Sequence, residues 1–399
     1  MSLRRRLEAE IAAEGPITVA RYMELCLHDP QGGYYATRPA LGAEGDFVTA
    51  PLLSQMFGEL LGLWCAQAWA ALGAPSPVRW IELGPGDGTL MADMRRACGR
   101  AAPGFLAATE TVLVETSAPL RAAQAQRLAG EDVRWAASLA QAAGDAPFVL
   151  VANELLDCLP ARQFVRVMRG RDVPPSGAPR RVSPGDNVDA AAAGAPPLGE
   201  LWAQPAEEGT WTERRVGLNA GGELAFGLAP APVGFAPPPG LESTPFGVVV
   251  EVSPAQAALG AEIGARVARQ GGAALLIDYG RDHAEPGDTL QALRRHAKVD
   301  PLATPGEADL TVHADFPAVT AAARAGGAAT SLTTQGAFLQ ALGAEARAGA
   351  LARARPDRAE VIARQLRRLI DPEGMGTLFK ALAIHPPGVP PPGFPPETA

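Results

Sequence analysis

Val78-Arg79-Trp80-Ile81-Glu82-Leu83-Gly84-Pro85-Gly86-Asp87-Gly88-Thr89 is the stretch that decides the fold. An apolar run ends in Glu82 and turns through Gly84, Gly86 and Gly88. Apolar residues then recur at helical spacing: Leu90, Met91, Met94, Ala97 and Cys98. This spacing predicts a strand, a glycine turn and a helix. Glycine lets the backbone approach a ligand closely, and a helix start offers free N–H groups to an anion. Both features suit a nucleotide-type cofactor. A nicotinamide oxidoreductase would carry G-x-G-x-x-G, whose third glycine falls where this chain has Thr89. A plain strand–turn–helix with no ligand is the alternative.

The next strand, Thr111-Val112-Leu113-Val114-Glu115, ends in a carboxylate. Nucleotide-binding α/β sheets place an acidic residue there to accept hydrogen bonds from ribose hydroxyls, although a solvated strand-end glutamate reads the same way by itself. Further strands are expected near 132–135 and 147–152, with helices between the first three, which is the signature of a mostly parallel sheet covered on both faces. Upstream lie helices at 3–14 and 18–28, a break at Asp29-Pro30-Gln31-Gly32-Gly33, a loop over 42–51 and an apolar helix over 52–72. Downstream, 164–168 reads as a strand, 170–200 as a mobile Pro/Gly/Ala loop, and 211–228 as a hairpin around Asn219-Ala220-Gly221-Gly222. A Pro-rich stretch fills 229–245. The α/β pattern resumes with a strand at 248–252, a helix at 254–270 and a strand at 273–279. A strand at 309–313, helices at 316–325, 336–351 and 357–370, and a strand at 378–384 follow. The expected organisation is a helical region with a cofactor-lid loop (1–75), a core (76–163 and 246–384), a β-rich, proline-rich insertion (164–245) and a disordered tail (385–399).

The 399 residues suffice for a substantial core, and 35 Lys+Arg against 43 Asp+Glu argue against a nucleic-acid partner. Four scattered cysteines and five scattered histidines give no metal-site spacing and fit a reducing compartment. No apolar run approaches the roughly 18 residues that span a bilayer. The basic start, Met1-Ser2-Leu3-Arg4-Arg5-Arg6, meets Glu8 and Glu10 instead of an apolar or acid-free leader, so a cytoplasmic protein is expected.

Taken together, the motifs resemble the MidA-like family of class I S-adenosylmethionine-dependent methyltransferases, which includes the mitochondrial complex I assembly methyltransferases. The matching segments include Asp29-Pro30 with Gly33-Tyr34-Tyr35, Gly45-Asp46-Phe47-Val48-Thr49-Ala50-Pro51, Ser54-Gln55-Met56-Phe57-Gly58-Glu59 and Glu82-Leu83-Gly84-Pro85-Gly86-Asp87-Gly88-Thr89. They continue with Ala152-Asn153-Glu154-Leu155-Leu156-Asp157, Glu251-Val252-Ser253-Pro254, Ile277-Asp278-Tyr279-Gly280, Thr289-Leu290-Gln291-Ala292 and Met375-Gly376-Thr377-Leu378-Phe379-Lys380. The resemblance covers about residues 15–384, and it implies a class I, Rossmann-like fold and methyl transfer from S-adenosyl-L-methionine to a protein arginine. A respiratory complex I subunit is the implied acceptor, and a homodimer is a candidate assembly. Two departures stand out: Leu52 where the family usually has Glu after Thr-Ala-Pro, and Cys158 where relatives carry a small residue.

Arginine is protonated at any usable pH, so its methylation calls for carboxylates that hold the guanidinium fork and accept the released proton. Asn153, Glu154 and Asp157 follow an apolar strand, and a helical turn starting there would put both carboxylates on one side. A helix start capped by Asn153 explains the same residues. Asp278 ends another apolar strand and either lines the same cleft or simply enters a turn at Gly280. Glu251 is a weaker candidate. The expected catalytic set is therefore Glu154, Asp157, Asn153 and Asp278. For the cofactor the set is Glu82, Gly84, Pro85, Gly86 and Glu115, with Asp46 and Thr49 folding over as a lid. A non-catalytic assembly factor built on the same fold is the competing reading.

Overall fold

The computed structural model describes residues 1–37, 49–168 and 209–395 of a chain that divides into two compact units. The larger comprises Tyr35–Asp157, Gln256–Asp282 and Ala314–Ala399. Its sheet follows a path of β1 (Val78–Leu83), β2 (Thr109–Val114), β3 (Val133–Ala136), β4 (Phe148–Asn153), β5 (Gly272–Arg281), β6 (Ala329–Thr334) and β7 (Phe379–His385). The spatial order is β6-β7-β5-β4-β1-β2-β3, with the short pair Ala314–Asp315 bridging to the end of β5. From β5 through β3 all neighbours are parallel, while β7 runs antiparallel to both β5 and β6. The chain leaves β1 towards β2 and β3, then returns to β4 on the other side of β1. That reversal opens a crevice at the carboxyl ends of β1 and β4, the place where open α/β sheets bind ligands. The architecture is the expected class I, Rossmann-like one.

The central strands are covered on both faces, and they are accordingly continuous apolar runs: Phe148, Val149, Leu150 and Val151 of β4 are fully buried. One core cluster gathers Phe57, Trp64, Trp80, Phe105, Phe338 and Phe379 around them. The helix Gln55–Ala71, started by Ser54 Oγ accepting from Met56 N, is largely apolar because most of it is buried. Its Gly62 permits close approach to the helix Thr89–Ala101: a Cβ there would lie 2.7 Å from Met94 O. The expected helix over 336–351 is two helices, Gln335–Ala341 and Ala344–Ala354, because Gly343 takes a left-handed φ of 86° between them. The strand β6 was not expected, since Ala-Thr-Ser-Leu-Thr-Thr has no apolar run. Its β-branched residues suit the ladder that β7 offers. The tail expected to be disordered is ordered through residue 395: His385 ends β7, Trp64 Nε1 donates to Pro392 O, and the Phe394 ring packs on Phe338 at 5.1 Å.

The second unit comprises Met1–Tyr34, Cys158–Ala255 and His283–His313. Helices Leu3–Glu14 and Val19–His28 accompany an antiparallel sheet of Ile17–Thr18, Arg162–Met168, Gly209–Leu218, Leu224–Pro230 and Val249–Val252. A smaller sheet joins Gln291–Arg294 to Ala297–Val299 and Asp309–Thr311. The expected hairpin is present, and Asn219 Oδ1 accepts from Gly221 N and Glu223 N to shape its turn. The expected boundaries shift. The strand near 248–252 does not resume the central sheet but pairs with Arg162–Met168, and residues 1–34 part from the helix Gln55–Ala71. The loop expected at 170–200 lies outside the described residues.

Candidate functional site

Every described candidate for catalysis or cofactor binding except Glu251 falls in the larger unit, at or near the carboxyl ends of β1, β2, β4 and β5 or on the segment after residue 48. After β1 the backbone passes through Gly84, Gly86 and Gly88 at φ of 63°, 55° and 84°. These left-handed values suit glycine and strain other residues. Gly84 N donates to Val114 O, Gly88 N to Pro85 O, and Thr89 N to Asp87 Oδ1, which fixes the turn against β2 and starts the following helix. Asp87 is anchored in turn by Arg127 at 2.6 Å.

Glu82 is buried in β1 and accepts from Met91 N in the first turn of that helix. Burial, and secondarily the Asp87 charge, pushes its carboxyl from an ordinary 4.5 up to about 8. Among the described residues its Oε2 has no hydrogen-bond partner, nor do the buried Thr89 Oγ1 and Asn153 Oδ1. Buried polar atoms are nearly always paired, so three orphans beside one glycine turn fit a site shaped for a polar, nucleotide-type cofactor.

Glu115 stands just past β2. Its Oε1 accepts from Ser117 N at 2.7 Å and its Oε2 from Gln124 Nε2 at 3.4 Å, while burial raises its pKa. Gln124 is a residue the sequence reading missed. It is fully buried, donates to Gly86 O at 2.7 Å, and accepts from Trp135 Nε1. One amide thus links the glycine turn, the Glu115 carboxylate and β3. A lone Gln on an amphipathic helix carries no sequence signal of that role.

Across the crevice, β4 ends at Asn153, and Glu154 leaves it at φ 51°. Glu154 N donates to Ile277 O, and Glu154 Oε1 accepts from Asn153 Nδ2 at 3.0 Å and from Ala50 N at 3.2 Å. The helical turn expected at 154–157 is absent, and with it the capping role of Asn153, because the left-handed Glu154 breaks the helical path. The loop after Glu154 is tied instead to Asp278. This fully buried carboxylate accepts from Leu156 N at 2.7 Å, Asp157 N at 3.2 Å and Tyr279 N at 2.8 Å. Burial, then the charge of Glu154, raises the Asp278 pKa. Leu155 borders the glycine turn, since a Cβ on Gly84 would lie 3.0 Å from Leu155 Cδ1.

Thr49 precedes the short helix Ala50–Leu53, which carries Leu52, and Asp46 lies outside the described residues. Glu251 is placed in the other unit, where Gln163 Nε2, Thr289 N and Thr289 Oγ1 donate to it. Among the described residues no cluster of three or more His, Cys, Asp or Glu could hold a metal, and no helix is long and apolar enough to cross a membrane.

A family model of S-adenosyl-L-methionine-dependent methyltransferases matches residues 60–336. A Drosophila melanogaster protein named protein arginine methyltransferase NDUFAF7 homolog, mitochondrial, is 34% identical over 96% of this chain and 85% of its own length. The Mus musculus NDUFAF7, also a mitochondrial protein arginine methyltransferase, is 32% identical over 96% and 84%. A COG1565 superfamily protein from Burkholderia thailandensis, solved with S-adenosyl-homocysteine bound, superposes with a TM-score of 0.73 at 28% identity, covering 96% of this chain and 91% of that one. The chain belongs to this MidA-like family of S-adenosyl-L-methionine-dependent methyltransferases, and S-adenosyl-L-methionine is its cofactor. The expectation of a cytoplasmic protein is overturned by the mitochondrial relatives. The N-terminal residues on which it rested form a folded helix with Leu3, Leu7 and Ile11 buried, and such a helix carries no information on compartment.

Proposed function

We propose that this methyltransferase modifies an arginine side chain of a protein substrate held at the loop 153–157. The observation that carries the reading is the placement of Glu154: its carboxylate follows the strand next to the glycine turn, and its neighbour Leu155 borders Gly84. In this reading the backbone at Gly84, Pro85 and Gly86 receives the methionine part of the cofactor, and Glu115 takes the ribose hydroxyls. Glu82 and Thr49 complete the enclosure. When bound, S-adenosyl-L-methionine supplies an electrophilic methyl on a neutral leaving group.

The remaining chemistry belongs to the chain's own residues, which align the nucleophile and exclude water. Glu154 accepts the guanidinium N–H groups, localises the positive charge away from the attacking nitrogen, and takes the proton that methylation releases. Asn153 orients Glu154 through its Nδ2, and Asp157 adds negative charge to the same loop. The arginine methyltransferase names of the relatives support an arginine acceptor. The resemblance to complex I assembly methyltransferases makes a respiratory complex I subunit the first acceptor to try, and a homodimer the first assembly state to test by light scattering.

The test is transfer of labelled methyl from S-adenosyl-L-methionine to protein of an extract from cells lacking this chain, followed by acid hydrolysis. Label recovered as methylarginine, and lost with Glu154→Gln, is the expected result. Label recovered on another amino acid overturns the arginine reading.

A further inference from the structure

Glu154 sits in a conformation that a non-glycine residue keeps only when its surroundings force it to. Three groups around the loop supply that force. Asp278 Oδ2 receives both Leu156 N and Asp157 N, and the backbone of β5 receives Glu154 N. A third group comes from the start of the helix Pro254–Gln270: Gln256 Nε2 donates to Leu156 O at 2.8 Å, and its Oε1 accepts from Asp315 N at 2.8 Å. Gln256 and Asp278 are both completely buried. Leu156 is therefore gripped at its N–H by one side chain and at its C=O by another.

Neither side chain is placed to touch an acceptor. Asp278 already spends its two oxygens on three backbone N–H groups, and Gln256 spends its amide on Leu156 and Asp315. We propose that Asp278 and Gln256 are positioning residues: they clamp the loop 154–157 and thereby hold the Glu154 carboxylate where the acceptor must meet it. This moves Asp278 out of the catalytic set and adds Gln256, on the helix after β-strand Val249–Val252, to the machinery. The proposal rests on the reading of Glu154 as the acceptor-holding group. The clamp grips the loop at Leu156 and Asp157, beyond Leu155 where the loop borders the glycine turn, so cofactor affinity should change little.

The experiment compares the full chain with Gln256→Met and Asp278→Asn. Gln256→Met keeps the length of the side chain and removes both hydrogen bonds. Asp278→Asn replaces one acceptor by a donor that faces backbone N–H groups. Three quantities are read: hydrogen exchange of the peptide spanning 154–157 against that of β2, the dissociation constant for S-adenosyl-homocysteine, and the rate of protein methylation in the extract assay. Exchange about tenfold faster at 154–157 but not in β2, affinity unchanged within about threefold, and methylation slowed about tenfold or more are the expected results. Unchanged protection in both variants overturns the clamp, as does lost protection with an unchanged methylation rate. If Asp278→Asn does not fold, Gln256→Met alone decides. If the wild-type chain binds S-adenosyl-homocysteine but labels no protein, the protein-substrate reading fails and exchange alone judges the clamp.

Discussion

The chain makes two sharp exits from neighbouring central strands at the carboxyl end of its sheet, and it builds them by opposite means. After β1, three glycines take left-handed φ values, and backbone hydrogen bonds, the Asp87 cap and the Gln124 amide on Gly86 O hold the turn. After β4, a glutamate takes the same kind of φ, which disfavours a residue with a Cβ by about 1–2 kcal/mol. Buried side chains then hold what composition does not favour. The reason for the difference is chemical. In the proposed reading the first turn presents backbone to the cofactor, so it needs no side chain at the turning point itself. The second must present a carboxylate at the turning point itself, so it cannot use glycine there.

The contrast can be broken or sharpened by substitution. Gly84→Val should lower the affinity for S-adenosyl-homocysteine by about 100-fold or more in calorimetry, because a β-branched residue resists φ of 63° and its Cβ meets Leu155. Near-wild-type binding would show that glycine is dispensable after β1. Glu154→Gln should slow protein methylation by about 100-fold while leaving that affinity within about threefold, the mirror-image phenotype. Glu115→Gln should weaken cofactor binding by about tenfold with a smaller loss of turnover at saturating cofactor. Glu154→Gly should stabilise the fold by about 1 kcal/mol in denaturant unfolding although it removes the carboxylate, because the strain disappears with the Cβ. A loss of stability would mean that the Glu154 contacts to Ala50 and Asn153 outweigh its backbone strain.

The last effect is a pH slope. The folded Glu82 carboxyl is raised from 4.5 to about 8, so the native state keeps a proton that the unfolded chain has released. That favourable difference is complete below the unfolded value and fades as pH rises towards about 8, so stability should decline across that window by less than about 1.4 kcal/mol per pH unit. Glu82→Gln should flatten the decline in a denaturation series run at several pH values. An identical slope in the variant would exclude Glu82 as its source.

The two exits were unequally legible in the sequence. The spacing of Gly84, Gly86 and Gly88 announces its turn, because glycine is the residue that such φ values favour. Glu115 and Asn153 were legible as strand ends, since β-strand runs can be read from apolar residues, whereas Asp278, expected at a strand end, lies inside β5, which runs on to Arg281. Their partners were not. Glu154 is an ordinary helix former, so its neighbourhood read as a helical turn, and only the grip of β5 and the helix after Val252 overrides that preference. Gln124 and Gln256 act by tertiary hydrogen bonds that leave no periodic trace. The strand β6 and the break at Gly343 were missed for a related reason: each depends on a neighbour far away in sequence, or on one residue's φ.

The position of β7 has a consequence for biosynthesis. It lies between β5 and β6, yet it is the last of the sheet's strands to be made. While the ribosome is still short of Phe379, the apolar β5 has an open edge on that side, and β6 has no partner in the sheet. Open apolar edges invite pairing with other chains. The crevice-bearing half, β4-β1-β2-β3, can form early from nearby segments, whereas the other half is sealed only by a late insertion of long sequence range, the slow kind of step in folding. A nascent chain therefore passes through a stage in which its glycine turn is built and its sheet is not, and this is when a chaperone has most to protect.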